Sequence, residues 1–202
     1  MATPPSVITT ENLTEFFHDS IDAACERQAL DLEDESRAYL VRLLEHFIAP
    51  AALGNRSHRA AHRPLALLFQ DAVEARSDGE RRDALRQVGD VALFVAGFFP
   101  GWLERRTVDV DYYVGMGGTA YGALAELHAG RVGLAARLVF RELADKFAAL
   151  VALFDGLIAG SRLGSGPGDL LRQHELWLRS DGALYGHRLA AAGILDGGLV
   201  RH

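Results

Sequence analysis

The chain has 202 residues, 49% of them hydrophobic, with a formal net charge of −6 and a pI near 5.7. That length and apolar content are enough for one sizeable buried core. The acidic balance gives no electrostatic reason to look for nucleic acid or an anionic membrane surface as a partner. The cations are almost all arginine, with Lys146 the one lysine, a bias that base composition explains as readily as guanidinium chemistry.

Cys25 is alone, so no internal disulfide forms and a reducing compartment is expected. Its neighbours at helical spacing, Phe17, Ile21 and Ala24, make it a buried structural thiol. The opening MATPPSVITTENL has no basic region followed by an apolar stretch, which is what a secretory signal requires. The longest apolar runs, 91–99 and 147–154, fall short of the roughly 18 residues of a spanning helix. A cytoplasmic protein without a membrane span is expected.

Residues 1–8 read as a flexible lead-in, and the Thr9, Thr10 pair suits a helix cap. The first helix begins near Glu11, where Leu13, Phe16, Phe17, Ile21, Ala24 and Cys25 recur at steps of three and four. After a break around 28–34, a second helix from Glu33 to Ile48 buries Leu40, Leu43, Leu44 and Phe47 and ends at Pro50. Its acidic first turn suits the helix dipole. Residues 49–63 read as a basic surface loop. There His58 and His62 have i, i+4 spacing but lack the glutamate of a metalloprotease helix, and Arg56, Arg59 and Arg63 beside them disfavour a cation.

Pro64 suits the first turn of a third helix, Leu65 to Ala75, and Ser77, Asp78 and Gly79 make the next turn. The fourth helix, Glu80 to Phe98, is amphipathic in RRDALRQ and apolar nearly all round in VGDVALFVAGFF. Its second half is therefore expected to be buried. Asp90 is the one charge there, and a buried carboxylate needs a partner such as an arginine or a helix N-terminus.

Residues 108–130 scan as a helix that carries Gly115, Gly117, Gly118 and Gly122. Each interior glycine costs about 0.8–1 kcal/mol relative to alanine, together about 3–4 kcal/mol. Close helix packing or close approach of a ligand must offset that. Gly115, Gly118 and Gly122 share one helical face, which points to helix packing; a phosphate loop is disfavoured, since no strand precedes the segment and no Gly-Lys-Ser/Thr ending follows. At its entrance Asp109 and Asp111 stand between Arg105, Arg106 and Tyr112, Tyr113. Helix capping and ion pairing account for the two acids most simply; water-mediated Mg²⁺ binding is a costlier reading. Arg105, Arg106, Asp109, Asp111, Tyr112 and Tyr113 form the candidate ligand or partner site, with the arginines suited to an anion.

A sixth element, 132–158, reads as one long helix through Leu134, Leu138, Phe140, Leu143, Phe147, Leu150, Val151, Phe154 and Leu157. The sequence SRLGSGPG at 161–168 is a linker by composition, and two short helices follow, Asp169 to Arg179 and Ala183 to Ala192. His174 and Glu175 are adjacent in sequence and so do not share a helix face. No Ser/His/Asp set, paired-cysteine metal spacing or dinucleotide fingerprint is present, so no cofactor, metal or catalytic residue is assigned.

The run VGDVALFVAGFFPGWLERRTVDVDYYVGMGGTAY at 88–121, together with LTEFFHDSIDAAC and AYLVRLLEHF, resembles a pattern shared by bacterial proteins of unassigned function. The resemblance covers roughly residues 11–155 and is carried by Phe98, Phe99, Pro100, Arg105, Arg106, Asp109, Asp111, Tyr112, Tyr113, Gly115 and Met116. It implies no activity, cofactor or site residue.

The expected fold is an all-α, single-domain bundle of about six to eight helices. Residues 1–160 form its core, and residues 161–202 form a linker and a helical appendage packed on it. The expected function is that of a cytoplasmic, non-enzymatic interaction or regulatory protein, with an unidentified protein partner or a second copy of itself. The alternative is a small-molecule-binding protein or enzyme with its pocket at residues 105–113.

Overall fold

A computed structural model describes residues 10–48, 63–99, 103, 109–128 and 133–160. Among these residues the chain forms seven helices and no strand: α1 (Thr10–Gln28), α2 (Asp34–Ile48), α3 (Leu65–Val73), α4 (Asp78–Phe98), α5 (Val110–Leu127), α6 (Leu134–Asp145) and α7 (Phe147–Gly160). The all-α bundle expected from the periodicity is the fold observed. The appendage at 161–202, His58, His62, Arg105 and Arg106 lie outside the described residues.

Local chemistry sets the helix ends. Ser77 caps α4, its Oγ accepting from the Glu80 amide at 3.2 Å, while Glu80 Oε2 reaches back to the Arg76 amide at 2.8 Å. The first bond satisfies an amide that a helix start leaves unpaired and the second ties the residue before the cap to the first turn, so α4 begins two residues before the sequence pattern suggests. The C-terminus of α1 is closed by a reverse turn in which the Leu30 amide donates to the Cys25 carbonyl at 3.0 Å and the Ala29 amide to the Glu26 carbonyl at 3.3 Å. Ala29 adopts φ 50° there, a left-handed conformation that usually falls to glycine.

Helix α4 is the centre of the bundle, with α3, α5 and α7 packed around it. From Val88 to Gly97 every residue but Asp90 is buried, as the apolar half of the helix predicts. Phe47 of α2 stacks on Phe94 at 4.3 Å between ring centroids, and Phe98 meets Phe154 of α7 edge to face at 5.4 Å. Helix α1 pairs with α2 and also touches α7. Cys25 is buried on its inner face, where burial pushes the thiol above its ordinary range, as suits a structural rather than a reactive cysteine.

Close approach is concentrated at particular glycines. A Cβ at Gly117 would lie 2.1 Å from Phe147 Cζ and 2.8 Å from the Ala92 Cβ. One at Gly89 would lie 2.3 Å from Tyr121 Cε1. The close packing anticipated at Gly115, Gly118 and Gly122 thus falls on Gly117. Gly118 and Gly122 do face α6, at ordinary distances of 3.7 Å from the Ala144 carbonyl and 3.9 Å from its Cβ, and Gly115 has nothing within 4 Å.

The long sixth element is two helices. Lys146 sits at φ −101°, ψ 13° between them, and the following residue is Phe147, whose ring occupies the seam that Gly117 leaves open. Lys146 Nζ donates to the Asp31 carbonyl at 2.5 Å and pairs with Glu142 at 2.8 Å. Periodicity alone missed this break because apolar spacing continues across it.

Glu142 links α6 to the start of α2. Its two carboxylate oxygens accept from the Glu33 amide at 3.3 and 3.2 Å, so a distant helix supplies part of the α2 cap. Burial would raise this carboxyl, but the Lys146 ammonium and the Glu33 amide outweigh it and hold Glu142 below the ordinary range. Such a lowered group contributes stability above its unfolded pKa, about 4.3, and loses it as pH falls through the folded value. Glu142→Ala is expected to cost about 1–2 kcal/mol near neutrality. The gap from wild type, measured by urea melts at several pH values, should close below about pH 4.

Candidate functional site: a polar groove between α2 and α4

Helices α2 and α4 touch at few points, and between them lies a groove of about 610 Å³. Leu43, Phe47, Ala84 and Val91 give it apolar walls, and Tyr39, Arg42, His46, Asp83, Arg86, Gln87 and Asp90 give it polar ones. Its volume falls within the roughly 300–1,000 Å³ of small-molecule sites.

Asp90 organises the groove. The Tyr39 hydroxyl donates to Asp90 Oδ1 at 2.5 Å, and the Tyr121 hydroxyl donates to the same oxygen at 2.7 Å. The partner expected for this carboxylate was an arginine or a helix N-terminus; two phenols take that role. They come from α2 and α5, so one oxygen on α4 joins three helices. Gly89 makes the arrangement sterically feasible, since the Tyr121 ring lies where a side chain at 89 would stand. Asp90 Oδ2 is neither hydrogen-bonded in this network nor among the buried polar atoms without a partner. It is therefore not sealed from solvent, and Asp90 is among the residues that line the groove.

Burial pushes the Asp90 carboxyl above its ordinary range, and the two phenols, Arg86 and His46 only partly offset this. The same burial, followed by the Asp90 charge, pushes both tyrosines well above theirs, so they remain donors at physiological pH. The raised acid contributes stability below its unfolded pKa, about 3.9, that is lost as pH rises through the folded value. Asn at this position keeps an acceptor oxygen without the charge. Asp90→Asn is accordingly expected to be at least as stable as wild type at neutral pH, and its advantage should grow as pH rises from about 4. Denaturant melts across that range check it; an Asn variant that is much less stable at neutral pH would contradict it.

The groove also carries cations from both walls. Arg42 is exposed and makes no ion pair among the described residues. Arg86 meets Asp83 at 3.5 Å, with both side chains largely exposed, a pairing that contributes little and is readily released.

The residues singled out at the entrance of α5 lie elsewhere. Asp109 is the α5 cap, its Oδ1 accepting from the Tyr112 amide at 3.0 Å. Asp111 is exposed, and Tyr112 and Tyr113 are half-buried, edge to face at 5.7 Å. None of these four lines the α2–α4 groove. Tyr39 and Tyr121 were not singled out from the sequence. The available signals were Asp90 itself, stranded among apolar residues, and Gly89 beside it; their tyrosine partners are 51 and 31 residues away.

Fold and groove together define an all-α helical bundle with a polar cleft beside its central helix. In comparisons with known proteins, no family model, curated protein or solved structure matches the chain. Among the described residues no helix is long and apolar enough to cross a membrane, and no group of three or more His, Cys, Asp or Glu side chains is placed to hold a metal ion.

Proposed function

We propose that the chain is a non-enzymatic regulatory or interaction protein of the cytoplasm, and that it recognises a small ligand in the α2–α4 groove. The observation that supports this reading is the placement of Asp90. Its carboxylate is partly buried at a cost in desolvation, an amide would satisfy the same two phenols, and the residue lines the groove with its second oxygen outside this network. A charge kept where the fold does not need one suits recognition. The groove is a different place from the pocket expected at residues 105–113, of which Arg105 and Arg106 lie outside the described residues.

The full chain, purified gently and then denatured, should release a bound small molecule that mass spectrometry identifies. The Arg42→Glu variant, altered at an exposed position on the groove, should release much less. Equal release from both proteins, or none from wild type, would count against the groove as the site.

A further inference from the structure

We infer that the groove selects a small zwitterion, an amine and a carboxylate joined by an apolar body, as in an apolar α-amino acid. This rests on the groove reading above and adds the ligand's chemistry. Three features argue for it.

First, Asp90 offers an acceptor in the groove. Asp90 Oδ1 is already taken by the Tyr39 and Tyr121 hydroxyls at 2.5 and 2.7 Å, which leaves Oδ2 to accept from an incoming ammonium. Such a charge-assisted bond is among the stronger hydrogen bonds available. Second, the same groove carries Arg42 from α2 and Arg86 from α4. Arg42 has no ion pair among the described residues, and Arg86 pairs with the exposed Asp83 at 3.5 Å and also favours the charged form of Asp90. Guanidinium groups in this state are suited to a carboxylate. Third, Leu43, Phe47 and Val91 line the same groove and give it apolar surface. A simple anion would meet Asp90 unfavourably, and a simple cation would meet the arginines unfavourably; a molecule carrying both charges satisfies both kinds of group.

The test is calorimetric titration of the full chain with three probes that share one ring: L-phenylalanine, phenethylamine, which lacks the carboxylate, and phenylpropionate, which lacks the amine. The expected result is that L-phenylalanine binds at least about tenfold more tightly than either single-charge analogue, one lost charged hydrogen bond being worth about that much or more. Asp90→Asn and Arg42→Ala should each weaken L-phenylalanine by a similar factor. Circular dichroism confirms that both variants are folded, and Arg42→Ala lies at an exposed position where folding is not at stake. Equal affinity for phenethylamine or for phenylpropionate, undiminished binding by folded Asp90→Asn, or no binding of any probe would overturn the zwitterion. In each of those cases the groove reading still stands or falls on the molecule released from wild type and from Arg42→Glu.

Discussion

Gly117→Ala is expected to destabilise the chain by about 2–3 kcal/mol, whereas Gly115→Ala, two residues earlier on the same helix, is expected to stabilise it by up to about 1 kcal/mol. Both changes gain helix propensity. At position 117 that gain is outweighed, because the new methyl would stand 2.1 Å from the Phe147 ring and 2.8 Å from the Ala92 Cβ. Phe147 is buried and Ala92 sits on the central helix, so relief requires α5 or α7 to shift against α4. At position 115 nothing lies within 4 Å, and the propensity gain is retained. For a chain of this length the tight substitution should lower the melting temperature by roughly 5–10 °C, and scanning calorimetry of the pair reads both signs. Similar melting temperatures for the two variants would show that Gly117 is not the close-packed position.

Tyr121→Ala should have the largest effect of any single change considered, about 3–5 kcal/mol. The side chain is 0% exposed. Its ring lies against Gly89 and 5.7 Å from both Phe140 and Phe147, and its hydroxyl reaches Asp90. Truncation therefore leaves a cavity where α4, α5, α6 and α7 converge and removes one of two donors to a partly buried carboxylate. Tyr121→Phe separates the two contributions. It retains the ring, leaves Tyr39 on Asp90, and is expected to cost about 1–2 kcal/mol. If chemical denaturation gave equal losses for Phe and Ala, ring packing would not be the larger contribution.

The parts of this fold that were legible in the sequence rest on local periodicity. The face of α2, that of α1 apart from the exposed Phe16, the buried second half of α4 and the acidic cap of α5 are all encoded by residues within a few turns of one another. What escaped depends on contacts between elements. The break at Lys146 is fixed by a lysine that ties to the Asp31 carbonyl 115 residues earlier, while the apolar pattern runs on through it. The glycine face of α5 was read from spacing, but spacing does not say which glycine meets a ring; Phe147 selects Gly117. The same holds for the site. Asp90 was conspicuous as the one charge in an apolar half-helix, but a pair of tyrosines from two other helices leaves no periodic trace. At Asp109 the local reading suffices, since the cap read from the sequence is the one observed, its Oδ1 accepting from the Tyr112 amide.

The central claim is that Asp90 is a recognition carboxylate held ready at the groove, and it is tested most directly by NMR titration of the Asp90 side-chain carboxyl in the ¹³C-labelled full chain, with and without L-phenylalanine. Without the amino acid the midpoint should lie above the ordinary aspartate value of about 3.9. With it the midpoint should fall, because a bound ammonium favours the charged carboxylate. A midpoint in the ordinary range in the free protein, or one that does not move when the amino acid is added, would contradict the account.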